Sequence, residues 1–152
     1  MLIKAHPTLY AGVTFRSRLE ATWAAFFDLS GIRWDYEPID LEGWVPDFVL
    51  WVASPVYVEV KPAPLIPFSK TCKSLKVDSK FQGFEKAKRH RKENWVLLLG
   101  VRPNDESYAC GLGCLMDSDC DGRWLDVYHS LCVENAPARW NAAKTLTQWV
   151  PA

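Results

Sequence analysis

An α/β domain with a mixed sheet is the fold class that the sequence predicts, and three observations predict it. An amphipathic helical stretch at 16–30 is followed by strand-like segments across 32–61. A basic helical stretch at 77–93 then precedes WVLLLGV at 95–101, a continuous apolar run. The chain of 152 residues fits one domain, 1–152, large enough to bury a core without disulfides or a structural metal.

In RSRLEATWAAFFDLS (16–30), Leu19, Trp23, Phe26 and Phe27 share one stripe, and Gly31 stands just past the helix end. Trp23 and Phe27 follow Glu20 at i+3 and i+7, so the Glu20 carboxylate points toward the edge of the apolar face. That placement is costly unless something compensates the charge. The plainer reading of Glu20 is a helix-flank carboxylate paired with Arg16 at i−4. Next, Ile32, Trp34 and Tyr36 alternate with Arg33, Asp35 and Glu37, the period of a half-buried strand, before Pro38 and the turn-like IDLEGW.

PDFVLWVASPVYVEVK (46–61) reads as a hairpin turning around Ala53, Ser54 and Pro55. A three-residue loop would put Asp47 across from Lys61 and diagonally from Glu59 on one face. A one-residue change in loop length would turn Asp47 to the other face. The connector 62–76 holds three prolines and then Lys70, Lys73 and Lys76 without periodicity, and is expected to be a loop near the ligand. A helix is expected from Val77 to Glu93, with Phe81, Phe84 and Lys88 on one stripe, Lys86, Arg89 and Lys92 elsewhere, and Gly83 weakening it. The run at 95–101 suits a strand buried on both faces. YACGLGCLM and RWLDVYHSLCV suggest two strands around DSDCDG, followed by a short helix from Ala138 to Trp149. The domain would then have a core at 14–101 and a C-terminal β-hairpin and helical extension at 102–152.

Zero formal net charge hides a segregation: counting Lys, Arg, Asp and Glu, residues 1–60 sum to −4, residues 61–92 to +8 and residues 93–152 to −4. A polyanion would be drawn to the middle segment and released by salt; a solvated basic helix is the alternative. Nothing approaches the roughly 18 apolar residues of a membrane helix. MLIKAHPTLY lacks the marks of a secretory signal, and the five Cys are odd in number without framework spacing, so a reduced, cytoplasmic protein is expected.

Two carboxylates and a lysine on one strand face make a poor core and a good site for a hard cation such as Mg²⁺. Such an ion stabilises charge on a phosphodiester and lowers the pKa of its bound water, and a neighbouring lysine can hold that water. Phosphodiester cleavage is the chemistry expected. Taken singly, Pro-Asp marks a turn and Glu-Val-Lys a solvated strand face; their combination with Glu20 carries the expectation. Cys110, Cys114, Cys120 and Cys132 with His129 lack paired C-x₂-C knuckles, which favours thiols that flank strands or lie buried over a zinc site. Trp44, Trp51 and Tyr57 near the site suit packing more than stacking on an unpaired base.

Helix Glu, strand Pro-Asp and strand Glu-x-Lys, in that order, resemble the signature of the PD-(D/E)XK nuclease superfamily. FRSRLE (15–20), GIRWDYEP (31–38), VPDF (45–48) and VYVEVKP (56–62) look like segments of small phage endonuclease I type Holliday-junction resolvases, a likeness that covers 14–62. Weaker support runs through the basic helix and 95–101. The resemblance implies a restriction-endonuclease-like core, and catalysis by Glu20, Asp47, Glu59 and Lys61. It implies Mg²⁺, with Mn²⁺ substituting, held by Asp47, Glu59 and the carbonyl of Val60 with help from Glu20. Lys61 would serve the attacking water, and Arg16 and Ser17 would position phosphate. DNA contacts are expected from these two and from Lys70, Lys73, Lys76, Lys86, Arg89 and Lys92. The implied substrate is branched DNA such as a Holliday junction, cut to leave a 3′ hydroxyl by a homodimer of phage origin. The alternatives are a nicking or exonucleolytic member of the superfamily and a DNA-binding protein that keeps the fold without cleaving. Pro62 departs from the glycine common after the lysine, and the loop 62–76 has no counterpart.

Overall fold

The computed structural model of the protein describes residues 5–62, 82–103, 112–116 and 124–148. A short antiparallel pair, β1 (Thr8–Tyr10) and β2 (Val13–Phe15), leads into helix α1 (Arg18–Leu29). Ser17 caps α1 by accepting the Glu20 N–H at 3.2 Å, which satisfies one of the helix's orphan donors. Past the other end Gly31 takes φ +70°, a left-handed conformation that a glycine adopts without steric cost. The expected apolar stripe is the buried one: Trp23, Phe26 and Phe27 are fully buried and Leu19 is partly so. Burial of each large side chain contributes about 1.5–3 kcal/mol.

The sheet has five strands in the order β3 (Trp34–Tyr36), β4 (Phe48–Trp51), β5 (Pro55–Val60), β6 (Trp95–Leu99) and β7 (Cys114–Leu115). It is mixed, because β5 pairs parallel with β6 while β3–β4, β4–β5 and β6–β7 are antiparallel. A parallel pair needs a crossover, and helix α2 (Gln82–Arg89) lies within it. Strand β6 is buried at every residue, as its unbroken apolar sequence predicts for a strand covered on both faces.

The two faces are distinct. Phe48, Leu50, Val56, Val58, Leu97 and Leu99 join the α1 side chains in the larger cluster. Trp44, Phe84, Ala87, Val96, Leu98, Cys114 and Met116 form the smaller one, with Tyr57 packed against it. The turn of residues 90–93 closes α2 at Arg89, four residues before the expected Glu93; the expected start at Val77 lies outside the described residues.

The expected C-terminal hairpin is not found among the described residues. β7 is a strand, but it pairs with β6, and the second expected strand is instead helix α3 (Trp124–Leu131). Val127 and Leu131, one helical turn apart, are both fully buried, so the 3.6-residue period overrides the β-branched and aromatic composition. The final helix, α4 (Ala136–Leu146), begins two residues before Ala138, with a proline in its first turn where a missing N–H costs nothing. It packs on α1 through Trp140, whose ring centroid lies 4.6 Å from that of Trp23. Among the described residues no helix is long and apolar enough to cross a membrane.

Gly113 shows how closely β7 approaches β6: a Cβ there would collide with the Leu98 carbonyl and press on the Leu99 side chain. Gly113→Ala is expected to cost about 1–3 kcal/mol, the range for overpacking, read as a lower urea midpoint at unchanged slope.

Candidate active site

Register decides which charges meet. Trp51 pairs with Pro55 and Phe48 with Val58, so continuing one step sets Asp47 opposite Glu59, not opposite Lys61 as the sequence suggested. The loop is three residues long as expected, and the strands close directly on it. The parity is therefore retained and the shared placement survives. Asp47 is fixed by two backbone contacts: its N–H donates to the Val58 carbonyl at 2.8 Å, and its Oδ2 accepts the Val60 N–H at 2.7 Å.

Glu20, Asp47, Glu59, Val60 and Lys61 all line one cleft of about 990 Å³, with Arg16, Ser17 and Lys86. The five residues expected at the catalytic and metal site thus come together. Val60 enters through its N–H, which donates to Asp47. Lys61 Nζ lies 3.1 Å from Glu59 Oε1, and the Trp44 indole donates to Glu59 Oε2 at 2.8 Å. Burial pushes the Glu59 carboxyl up, while the Trp44 and Lys61 donors oppose that shift.

Glu20 receives the compensation that its position requires. The Ser17 hydroxyl donates to Glu20 Oε2 at 2.9 Å while accepting the Glu20 N–H, a reciprocal cap. Ser17→Ala should cost about 1 kcal/mol of stability, measured by thermal or urea denaturation, because it removes both bonds. Arg16 does not pair with Glu20; it grips Glu37, Nε to Oε1 at 2.9 Å and Nη2 to Oε2 at 3.1 Å. The two residues expected to position phosphate therefore hold carboxylates of the site.

Glu37 is the site residue that sequence reasoning missed. One carboxylate oxygen from each of Glu20, Glu37 and Asp47 lies within 4.8 Å of the others, a grouping with three potential metal ligands. The register of β3 on β4 pairs Tyr36 with Phe48, and the Glu37 N–H donates to the Asp47 carbonyl at 2.9 Å. The available signal was the position of Glu37 at the end of the alternating segment, but only the β3–β4 register turns that into proximity to Asp47. Glu37 also holds φ +47°, a left-handed conformation that costs a non-glycine residue about 1–2 kcal/mol.

Crowded carboxylates repel, and the site registers it. Burial first, then the neighbouring Glu59 and Glu20, push Asp47 up to about 8 despite the Val60 N–H. Burial also raises the Tyr36 hydroxyl, as do Glu20, Glu37 and Asp47 nearby, while the Arg16 N–H that it accepts opposes the shift. Four carboxylates face two paired cations, Arg16 and Lys61. Hard oxygen donors crowded in this way suit Mg²⁺ or Mn²⁺, and an ion held there would relieve the repulsion.

Of the lysines and arginines expected to touch DNA, Lys86 is exposed and lines the cleft, and Arg89 and Lys92 are exposed on and just after α2. Lys70, Lys73 and Lys76 lie outside the described residues. Arg18, not singled out from sequence, is exposed on the first turn of α1 and lines the same cleft. Cys114 is buried in β7 and Cys132 is exposed, while Cys110 and Cys120 lie outside the described residues. Trp44 and Tyr57 pack as expected; Trp51, 40% exposed, donates to Asp35 Oδ2 at 2.6 Å. No family model matches the chain, and neither a curated protein nor a solved structure matches it.

Proposed function

We propose that the protein is a Mg²⁺-dependent deoxyribonuclease with a restriction-endonuclease-like core, an endonuclease acting on branched DNA. The observation that carries this reading is the meeting of Glu20 from α1 with Asp47, Glu59 and Lys61 from the β4–β5 hairpin in one cleft, since the hairpin accounts for the last three but nothing local brings the helix carboxylate to them. A mixed sheet with α1 on one face and α2 on the other supports the fold assignment. The resemblance of 14–62 to the resolvases supports branched DNA as the substrate.

Asp47 and Glu59 would hold the ion, with Glu20 and Glu37 completing an oxygen-rich surround. When bound, the cation supplies Lewis-acid stabilisation of phosphoryl charge and a bound water of lowered pKa. The protein's own groups do the remainder. Lys61, held beside the carboxylates by Glu59, orients the attacking water and offsets negative charge developing on the phosphate. Ser17 keeps Glu20 turned into the cleft, and Arg16 holds Glu37 beside Glu20 and Asp47. Lys86 and Arg18 on the cleft walls attract the flanking phosphates.

DNA approaching α2 makes salt-sensitive contacts. Replacing Lys86, Arg89 and Lys92 by Ala is expected to weaken DNA binding and reduce the salt slope by about 1 for each phosphate no longer neutralised. Binding titrations across a salt series check this, and an unchanged slope removes α2 from the DNA path. The function itself is tested by offering the protein junction, flap, single-stranded and linear duplex DNA with Mg²⁺. Cleavage of the junction in preference to linear duplex is expected. Cleavage of none, with Mg²⁺ or Mn²⁺, sinks the reading.

A further inference from the structure

Trp44 belongs to the site in a way that neither the carboxylate cluster nor the lysine explains. Its indole is buried, at 3% exposure, yet it spends its one polar atom on Glu59 Oε2 at 2.8 Å. Lys61 holds the other oxygen of the same carboxylate at 3.1 Å. Glu59 is thus clamped at both oxygens, one by a flexible ammonium arm and one by a rigid ring.

The rigidity has a visible origin. Leu41 and Trp44 exchange backbone hydrogen bonds, N to O at 2.8 Å and 3.2 Å. Between them Glu42 and Gly43 take positive φ, 31° and 87°, so a tight turn fixes the tryptophan backbone. The ring is then packed with Phe84 and Ala87 of α2 and with Val96 and Leu98 of β6. On the α2 side the His90 ring centroid lies 5.6 Å away. An ordinary core tryptophan needs only some acceptor for its N–H. This one is braced by a turn, a helix and the sheet, and its acceptor is a carboxylate of the candidate site.

We propose that Trp44 is a positioning residue that sets the orientation of Glu59 toward a divalent cation. The inference rests on the metal-dependent reading given above and extends it to the group that aims one of the carboxylates. Such supporting hydrogen bonds fix how a ligand presents its free lone pairs, and losing one costs about 10–100-fold in metal affinity or activity. Trp44→Phe keeps a packed aromatic ring and deletes only the donor and part of the ring area.

Two measurements test it, and neither needs cleavage. Mn²⁺ binding by calorimetry, without DNA, should weaken about 10–100-fold in Trp44→Phe, and adding Trp44→Phe to Glu59→Gln should cost nothing further. In the metal-free protein, the Trp44 indole ¹⁵N–¹H resonance, assigned through its contact with the His90 ring, should stand downfield and move upfield in Glu59→Gln. Wild-type Mn²⁺ affinity in Trp44→Phe, an equal loss in the Glu59→Gln background, or an unmoved indole resonance each overturns the proposal. Should the wild type bind no Mn²⁺, the metal-dependent reading fails and the proposal with it, while a shifted indole resonance would still report an intact hydrogen bond. If Trp44→Phe does not fold, the resonance in Glu59→Gln decides.

Discussion

Asp47→Asn and Lys61→Ala are each expected to lower the cleavage rate by about 10²–10³-fold or more, while DNA still binds. Asp47 is held by the backbone of β5, so its replacement by an isosteric amide keeps the Val60 N–H partner and removes the charge that would hold a cation. Lys61 is half-buried and touches Glu59, so its loss removes both the group beside the attacking water and one clamp on that carboxylate. Residues that act as a unit are not additive. The double variant should accordingly be little worse than the more damaging single change. Single-turnover cleavage with Mg²⁺, alongside gel-shift affinity without metal, separates chemistry from binding. A variant that loses binding in proportion to cleavage would make these residues part of the docking surface instead.

The second large effect is on stability, and its sign follows from the crowding. Burial and the neighbouring carboxylates push folded Asp47 up to about 8, against about 3.9 for an unfolded aspartate, and burial displaces Glu59 in the same direction. Between those values the native state holds protons that the unfolded chain has released. Unfolding free energy therefore falls as pH rises from about 4 to about 8. A divalent cation binds the ionised carboxylates and offsets this loss. At one hundred times its dissociation constant it adds about 2.7 kcal/mol, and each kcal/mol moves Tm by about 2–4 °C at this chain length. Calorimetric melts of metal-free protein should fall across that pH range. Mg²⁺ should raise them most at the alkaline end, and Asp47→Asn should flatten both responses. Equal slopes in wild type and Asp47→Asn would mean that Asp47 does not control the pH dependence.

What the sequence could reveal followed from periodicity. The stripe of α1, the alternation of 32–36, the hairpin and the buried strand β6 each repeat at a spacing that local geometry dictates, and each is found. Asp47 and Glu59 could be placed on a common face because the hairpin loop is short. The residue opposite Asp47 is Glu59 and not Lys61, a difference of two residues along β5, since a loop length fixes parity more firmly than it fixes the opposite residue. Glu37 was invisible because its approach depends on how β3 docks on β4, a contact between strands separated by the long turn 37–47. The α3 segment misled because Val127 and Tyr128 favour strands by composition, whereas the burial of Val127 and Leu131 follows the helical repeat. Arg16 and Ser17 were recognised as site residues, but a linear sequence does not show that Glu37 and Glu20 claim them.

The most direct measurement is cleavage of one end-labelled four-way DNA junction by the wild-type protein in Mg²⁺, with an EDTA control and analysis of the product ends. A metal-dependent site built on Asp47, Glu59 and Lys61 predicts discrete products bearing 3′ hydroxyls, formed with Mg²⁺ and absent with EDTA. An uncut junction in Mg²⁺ and in Mn²⁺, or products that form equally well in EDTA, would contradict it.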